Sequence, residues 1–332
     1  MLATLALPAA GTPPHAPRKA RVRSADELRR ALREARDRPL ALDASGLDCV
    51  LRADDERHLL EVQAGMTWAA LAACFGNAGD RLTAWAASSG MPATVGQAVS
   101  ADAAAPDGAP LSACVESVAL ATVDGELRRV DRDTPARLFQ LVVGGQGVFG
   151  LIYSVTLRMD ALLRAAERAL PAVELNLPGP ELGNGIVCEV QALLPPEEVE
   201  GFLAQVRNLA AERRIALRRV AVRQLRAGAE SALGWAKRDW ASVSLCLRTR
   251  ATLGASVHAA EVRRLVHAAA IARGGSFPVS AARDVSRAQL DACYPELPAF
   301  LAEKRRYDPA ERLQNSWYRC VTALLRHQGC ES

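Results

Sequence analysis

Glycines at 145, 147 and 150 give the stretch Gly145-Gln146-Gly147-Val148-Phe149-Gly150 the G-x-G-x-x-G spacing that can bring backbone close to a pyrophosphate. That chemistry needs a strand before the glycines and a helix directly after them, so that helix N-terminal amides face the phosphates. Residues 138–143 read as strand-like. Residues 151–157 alternate and are β-branched, which predicts a second strand where the helix should be. The dinucleotide reading therefore fails on context. What remains is a tight turn at which backbone could approach a ligand or pack on itself.

Other chemistry-bearing residues stand apart. Lys304 is one of three lysines in the chain, with Lys19 and Lys237; beside Arg305 and Arg306 it reads first as part of a solvated helix face. Tyr294 and Tyr307 read first as packed rings with a hydroxyl partner, and Trp235 and Trp240 as sheet or core residues near Lys237. His258 and His267 fall on one long helix away from the glycines. The eight cysteines are scattered singly with no C-x-x-C pair, and the five histidines do not join them, so no metal site is expected. Unpatterned thiols in a long chain point to a reduced, cytoplasmic protein. The sequences G-x-S-x-G, P-loop and H-E-x-x-H are absent, which removes the hydrolase, nucleoside triphosphatase and zincin readings.

The elements that must position these residues follow from periodicity. The chain of 332 residues is 50% hydrophobic and 23% charged, enough for two domains. Its net charge of +4, with no basic face, argues against nucleic-acid binding. No apolar run is long enough to span a bilayer, and residues 1–17, lacking a basic n-region, read as a disordered tail. Ser24 with Glu27 predicts a capped helix ended by Pro39. Short strands are predicted at 40–42, 47–52 and 59–63, and a helix from Thr67 to about Gly76. Residues 86–113, rich in small residues, glycine and proline, read as a long irregular stretch. Asp124-Gly125 predicts a hairpin between 115–123 and 126–130, and Thr134-Pro135 starts a short helix. Beyond residue 160, strands at 186–193, 215–225, 240–248 and 276–279 alternate with helices from Pro195 and over 256–273. That order predicts an antiparallel sheet with helices on one face.

Four ordered stretches carry a resemblance. Leu138-Phe139-Gln140-Leu141-Val142-Val143-Gly144-Gly145-Gln146-Gly147-Val148-Phe149-Gly150-Leu151-Ile152 resembles a hallmark of the FAD-linked oxidases of the vanillyl-alcohol oxidase superfamily, whose flavin sits in a PCMH-type FAD-binding domain. Leu60-Glu61-Val62-Gln63-Ala64-Gly65-Met66-Thr67-Trp68 is similar to that domain's strand–glycine–helix opening. Pro92-Ala93-Thr94-Val95-Gly96-Gln97-Ala98-Val99-Ser100-Ala101 is similar to its second flavin-contacting loop. Residues 294–309 resemble the C-terminal segment of the sugar, lactone and alditol oxidase branch, which includes decaprenylphosphoryl-ribose oxidase-like proteins.

The resemblance implies an α+β fold: a two-subdomain PCMH-type domain at 18–160, an antiparallel-sheet substrate or cap domain at 161–299, and a segment at 300–332 returning to the flavin domain. It implies FAD as cofactor, lined by Pro92, Ala93, Thr94, Val95, Gly96, Val99 and Ser100. Gly144, Gly145, Gly147 and Gly150 would admit close backbone approach, with Ile152 near the adenine end. The reaction implied moves hydride from an alcohol carbon of a sugar-like or lactone substrate to flavin N5, with Tyr294 and Lys304 as candidates for the proton.

The sequence also departs from the family. Its glycine-rich first flavin loop, often carrying a histidine, is reduced to Asp43-Ala44-Ser45-Gly46. The family's His-Gly-Lys is matched by Ala104-Ala105-Pro106, and its later polar Lys or His by Ser280-Ala281. Two functions are therefore expected: an FAD-dependent oxidoreductase acting on a small molecule, or a catalytically degenerate homologue serving as a non-enzymatic partner or scaffold. A homodimer or another protein partner is compatible with either.

Overall fold

Ser24 starts the first helix, α1 (Ala25–Glu34): its Oγ accepts the Glu27 amide at 3.2 Å while Glu27 accepts the Arg23 amide at 2.8 Å. This reciprocal cap satisfies two amides that a helix leaves open, and Leu28 and Leu32, four apart, turn one face inward. The computed structural model describes residues 3–5, 18–34, 40–88, 92–134, 136–177, 186–249 and 254–326. The Pro39 helix stop, Pro135 and Cys330 lie outside these residues. Of the segment read as a tail, Ala3–Leu5 forms strand β1 and the rest lies outside them. The fold is α+β, and the chain divides into two compact units.

The first unit comprises the chain up to Ala169 together with Gly228–Gly234 and Glu296–Arg319. Strands β2 (Arg18–Arg21) and β3 (Leu40–Asp43) join β1 in a three-stranded sheet of order β1-β3-β2. A five-stranded antiparallel sheet is ordered β4-β5-β8-β6-β7, from β4 (Val50–Asp54), β5 (Leu59–Gln63), β6 (Val115–Ala121), β7 (Leu127–Asp131) and β8 (Leu151–Arg158). Gly125, at φ +81°, makes the β6–β7 turn in the left-handed region. Val22, Leu28, Leu32, Leu47, Ala121 and Leu313 form one buried cluster, so a residue from the far end of the chain completes the packing under α1.

Several helices correct the sequence reading. Helices α2 (Trp68–Ala73) and α3 (Asp80–Ser88) flank a 3-10 turn, and only the first was expected. The stretch 86–113 is not irregular throughout. It contains the end of α3, then α4 (Val95–Ala101), then a 3-10 turn at Leu111–Cys114. Thr94 caps α4, and Val95, Ala98 and Val99 are buried at i, i+3 and i+4, a helical stripe made of small side chains. The strand-like run before the glycines is helix α5 (Ala136–Val142), where Leu138, Leu141 and Val142 share a face. Short apolar runs do not distinguish strand from buried helix by periodicity. Helix α6 (Met159–Glu167) closes the N-terminal portion.

The second unit takes Leu170–Ala227, Trp235–Pro295 and the chain from Cys320. Its antiparallel sheet has order β10-β12-β11-β9, from β9 (Val173–Asn176), β10 (Val187–Leu194), β11 (Ala216–Leu225) and β12 (Trp240–Arg248). Val190, Ala192 and Leu194 on β10 and Val243, Leu245 and Leu247 on β12 alternate inward. They meet Phe202 and Val206 of α7 (Val199–Glu212) and Val262, Val266 and Ala270 of α8 (Ala255–Ile271). Each fully buried side chain of this kind contributes about 1.5–3 kcal/mol. The strand expected at 276–279 is a single bridge, Leu193 to Ser276, followed by a 3-10 turn at Val279–Ala281. Helix α9 (Arg287–Cys293) begins with a Ser286–Gln289 capping box.

Helices α10 (Leu297–Tyr307) and α11 (Ser316–Arg326) end the described chain. Lys304 is not on a solvated face: it is fully buried, its Nζ 2.5 Å from Asp308 Oδ2 and 4.9 Å from the centre of the Tyr318 ring. Asp308 also accepts the amides of Arg312 at 3.0 Å and Leu313 at 2.8 Å. Arg312 in turn donates to the carbonyls of Val123 at 2.7 Å and Leu32 at 2.9 Å. Among the described residues no helix is long and apolar enough to cross a membrane.

Candidate functional site

Two of the stretches singled out by resemblance meet in the first unit. The segment 64–67 that follows β5 receives the start of helix α4, and the C-terminal end of α4 lies beside the glycine turn that follows α5. The Gly144 amide donates to Val99 O at 3.0 Å and the Gln146 amide to Ser100 O at 2.9 Å. Within the turn, Gly145 donates to Val142 O and Val148 to Gly145 O, both at 3.2 Å. Gly144, Gln146 and Gly147 all have positive φ, at +72°, +55° and +72°. The non-glycine among them is held by Asn315, whose side-chain amide donates to Gln146 O at 2.6 Å.

The N-terminus of α4 is closed in the same way. Helix starts leave amides without intrahelical partners, and those are the donors an anion would use. Here the Val95 amide donates to Met66 O and the Gly96 amide to Ala64 O, both at 2.9 Å, and the Gln97 amide to Thr94 Oγ1 at 3.4 Å. Pro92 O accepts from Trp68 Nε1 at 3.1 Å, while Ala93 is exposed. A Cβ at Gly96 would lie 2.6 Å from Ala64 Cβ, and one at Gly145 would lie 1.8 Å from Leu141 O. Gly150 similarly abuts Leu120, and Ile152 pairs with Leu120 across β6 and β8. These glycines admit the protein's own chain. Gly147 alone among the four of the turn faces space, with Ser100 Oγ 3.9 Å from its Cβ position.

The shortened loop after β3 is bonded to itself and to Gly65. Ser45 N donates to Asp43 Oδ1 at 3.0 Å, Leu47 N to Ala44 O at 2.9 Å, and Gly65 N to Leu47 O at 2.7 Å. A Cβ on Gly65 would sit 2.2 Å from Ala44 O, so this loop rests directly on the segment between β5 and α2, which in turn receives the start of α4. Ala105, at the place of the family's His-Gly-Lys, is buried with its amide on Ala109 O at 2.7 Å. A pyrophosphate needs several amides aimed at one point. The amides at the α4 start and at Gly144, Gly145, Gln146 and Val148 already serve carbonyls or Thr94. The residues present therefore do not fit the flavin diphosphate that the resemblance implies.

A buried carboxylate that sequence reading missed sits at the centre of this region. Asp102 follows α4 in the left-handed conformation at φ +44° and is 2% exposed. Its Oδ1 accepts the Ser112 amide at 2.9 Å. Burial raises its carboxyl to about 6, against hydrogen bonds from Ser112 and Ser231 that act the other way; Glu230 adds to the rise. Nearby, Arg132 donates to Ser112 O at 2.7 Å and to Val115 O, lies 5.4 Å from the Phe139 ring centre, and pairs with Glu230 at 2.6 Å. The only signal for Asp102 in the sequence is an acid alone among small apolar residues.

The two proton-transfer candidates are both engaged. Tyr294 is buried in the second unit, donates to Phe277 O, and has the Lys237 ammonium 5.2 Å from its ring centre. Lys304 is tied to Asp308, and burial pushes its ammonium down from the usual lysine range. Tyr307 packs edge-on against Phe149 at 5.7 Å, and Trp240 donates to Trp235 O at 3.0 Å. His267 stacks on Phe277 at 4.8 Å, and burial lowers its imidazole to about 4, while His258 is at Arg213 O. Among the described residues no group of three or more His, Cys, Asp or Glu is placed to hold a metal. No protein-family model matches the chain, and no curated protein matches it.

Proposed function

We propose that this chain is a catalytically degenerate relative of the flavin oxidases, a PCMH-type fold with a cap-like second unit that works without FAD as a binding or scaffold protein. One observation carries the reading: the amides of Val95, Gly96, Gly144, Gly145, Gln146 and Val148, at the places where a flavin diphosphate would be cradled, are bonded to the protein's own carbonyls, and the shortened 43–47 loop lies on Gly65. The state of the proton-transfer candidates supports it. A base must reach the hydroxyl it deprotonates; Lys304 is fully buried against Asp308, and the Tyr294 hydroxyl is committed to Phe277 O.

The test is direct. The purified full chain is expected to be colourless, to retain no flavin after incubation with excess FAD and desalting, and to show no heat of FAD binding. Stoichiometric retention of FAD would overturn the proposal and restore the oxidoreductase reading, whose substrates would then be sought among sugar-like and lactone alcohols.

A further inference from the structure

Residues 228–234 leave the β11 strand and return to β12, yet they pack within the first unit. Their contacts converge on the glycine turn and its neighbours. Ala232 N donates to Gln140 O at 2.8 Å, just before the turn. Ser231 bonds to Asp102, and its Cβ lies 3.1 Å from where a Cβ on Gly144 would be. Glu230 pairs with Arg132, a guanidinium already oriented by the carbonyls of Ser112 and Val115 and by the Phe139 ring. Leu233 is buried at 1% exposure, and Gly228 lies against the Pro110 ring.

From this geometry we infer that 228–234 is a strap that closes over Gly144 and Arg132 and opens without unfolding either sheet. Among the described residues the segment forms no ladder with any strand. Among the described residues its bonds include one backbone hydrogen bond, the Ser231–Asp102 contact, a partly exposed ion pair and one buried leucine side chain, and it has glycine at both ends. Such a segment belongs to the low-stability end of a fold, where local opening is separate from global unfolding. Glycine at 228 and 234 gives the backbone freedom to swing. Opening would expose an oriented guanidinium and the surface of the turn. The inference stands independently of whether flavin binds.

Hydrogen exchange by mass spectrometry on the full chain tests it. In the native protein the Ala232 amide should exchange at least 100-fold faster than amides of β12. Replacing 229–233 with a glycine-serine linker of equal length should speed exchange at Gly144 and Gln146 at least 10-fold while leaving β8 and β12 unchanged. Ala232→Pro, which removes the donor to Gln140 and stiffens the backbone at 231–232, should act in the same direction by at least 3-fold. Exchange at Ala232 as slow as in β12 would show a fixed core segment and overturn the inference. So would an unchanged turn in both variants, or equal acceleration of the turn and both strands.

Discussion

Two ion pairs in the first unit use similar chemistry in opposite settings. Lys304–Asp308 is sealed, with side chains 0% and 2% exposed, and the Asp308 carboxylate also accepts the amides of Arg312 and Leu313 from the chain between α10 and α11. Arg129–Glu61 lies on the five-stranded sheet with the arginine half exposed. There Arg129 reaches both Glu61 oxygens at 2.8 Å, Ser117 at 2.9 Å and Thr156 at 3.0 Å, and Glu61 also accepts from Ser154 at 2.6 Å. The sheet pair has more hydrogen bonds, yet it can exchange them with water if broken. The buried pair cannot. Removing one partner there leaves a charge in the interior, which costs more than the pair itself contributes.

The largest effect is therefore expected at the buried pair. Lys304→Met should lower unfolding free energy by about 3–5 kcal/mol, read from urea denaturation; a loss under about 1 kcal/mol would put Lys304 nearer water than its burial indicates.

An intermediate effect is expected at Asp102, a carboxyl buried like Lys304. Its carboxyl is raised to about 6, so the folded chain keeps a proton that the unfolded chain has released. That contributes stability below about pH 4, which is lost as pH rises to about 6; the change is up to about 3 kcal/mol. Asp102→Asn should abolish this component of the pH profile between pH 4 and 7. Superimposable profiles for the two proteins would refute it.

The smallest effect belongs to the sheet pair. Arg129→Met should cost about 1 kcal/mol and less in high salt, as surface pairs do. A loss as large as that of Lys304→Met would erase the contrast.

Much of the scaffold was readable because its signals are local. The Ser24–Glu27 cap, Thr67 before α2, Asp124-Gly125 between β6 and β7, and the alternation along β10 and β12 each depend on neighbours within a few residues. Helix α4 was missed because alanine and glycine dilute the stripe made by Val95, Ala98 and Val99. The site's determinants were harder still. Asn315 lies 169 residues from the Gln146 carbonyl it holds, and Arg132 lies 98 from Glu230. Nothing in a linear pattern pairs them. Lys304 was misread for a related reason: Arg305 and Arg306 make the run look solvated, and only the later Tyr318 and Asp308 reveal the pocket around it.

The first unit is discontinuous, and this bears on its synthesis. Arg312 reaches back to the carbonyls of Val123 and Leu32, and Leu313 completes the cluster under α1. The ribosome must add about 150 residues after Ala169 before the Glu296–Arg319 segment is finished. At typical elongation rates that is on the order of 10–30 s. Throughout that interval the underside of α1 and the carbonyls awaiting Arg312 lack their final partners, so the nascent N-terminal portion keeps apolar surface open to water until its C-terminal piece arrives.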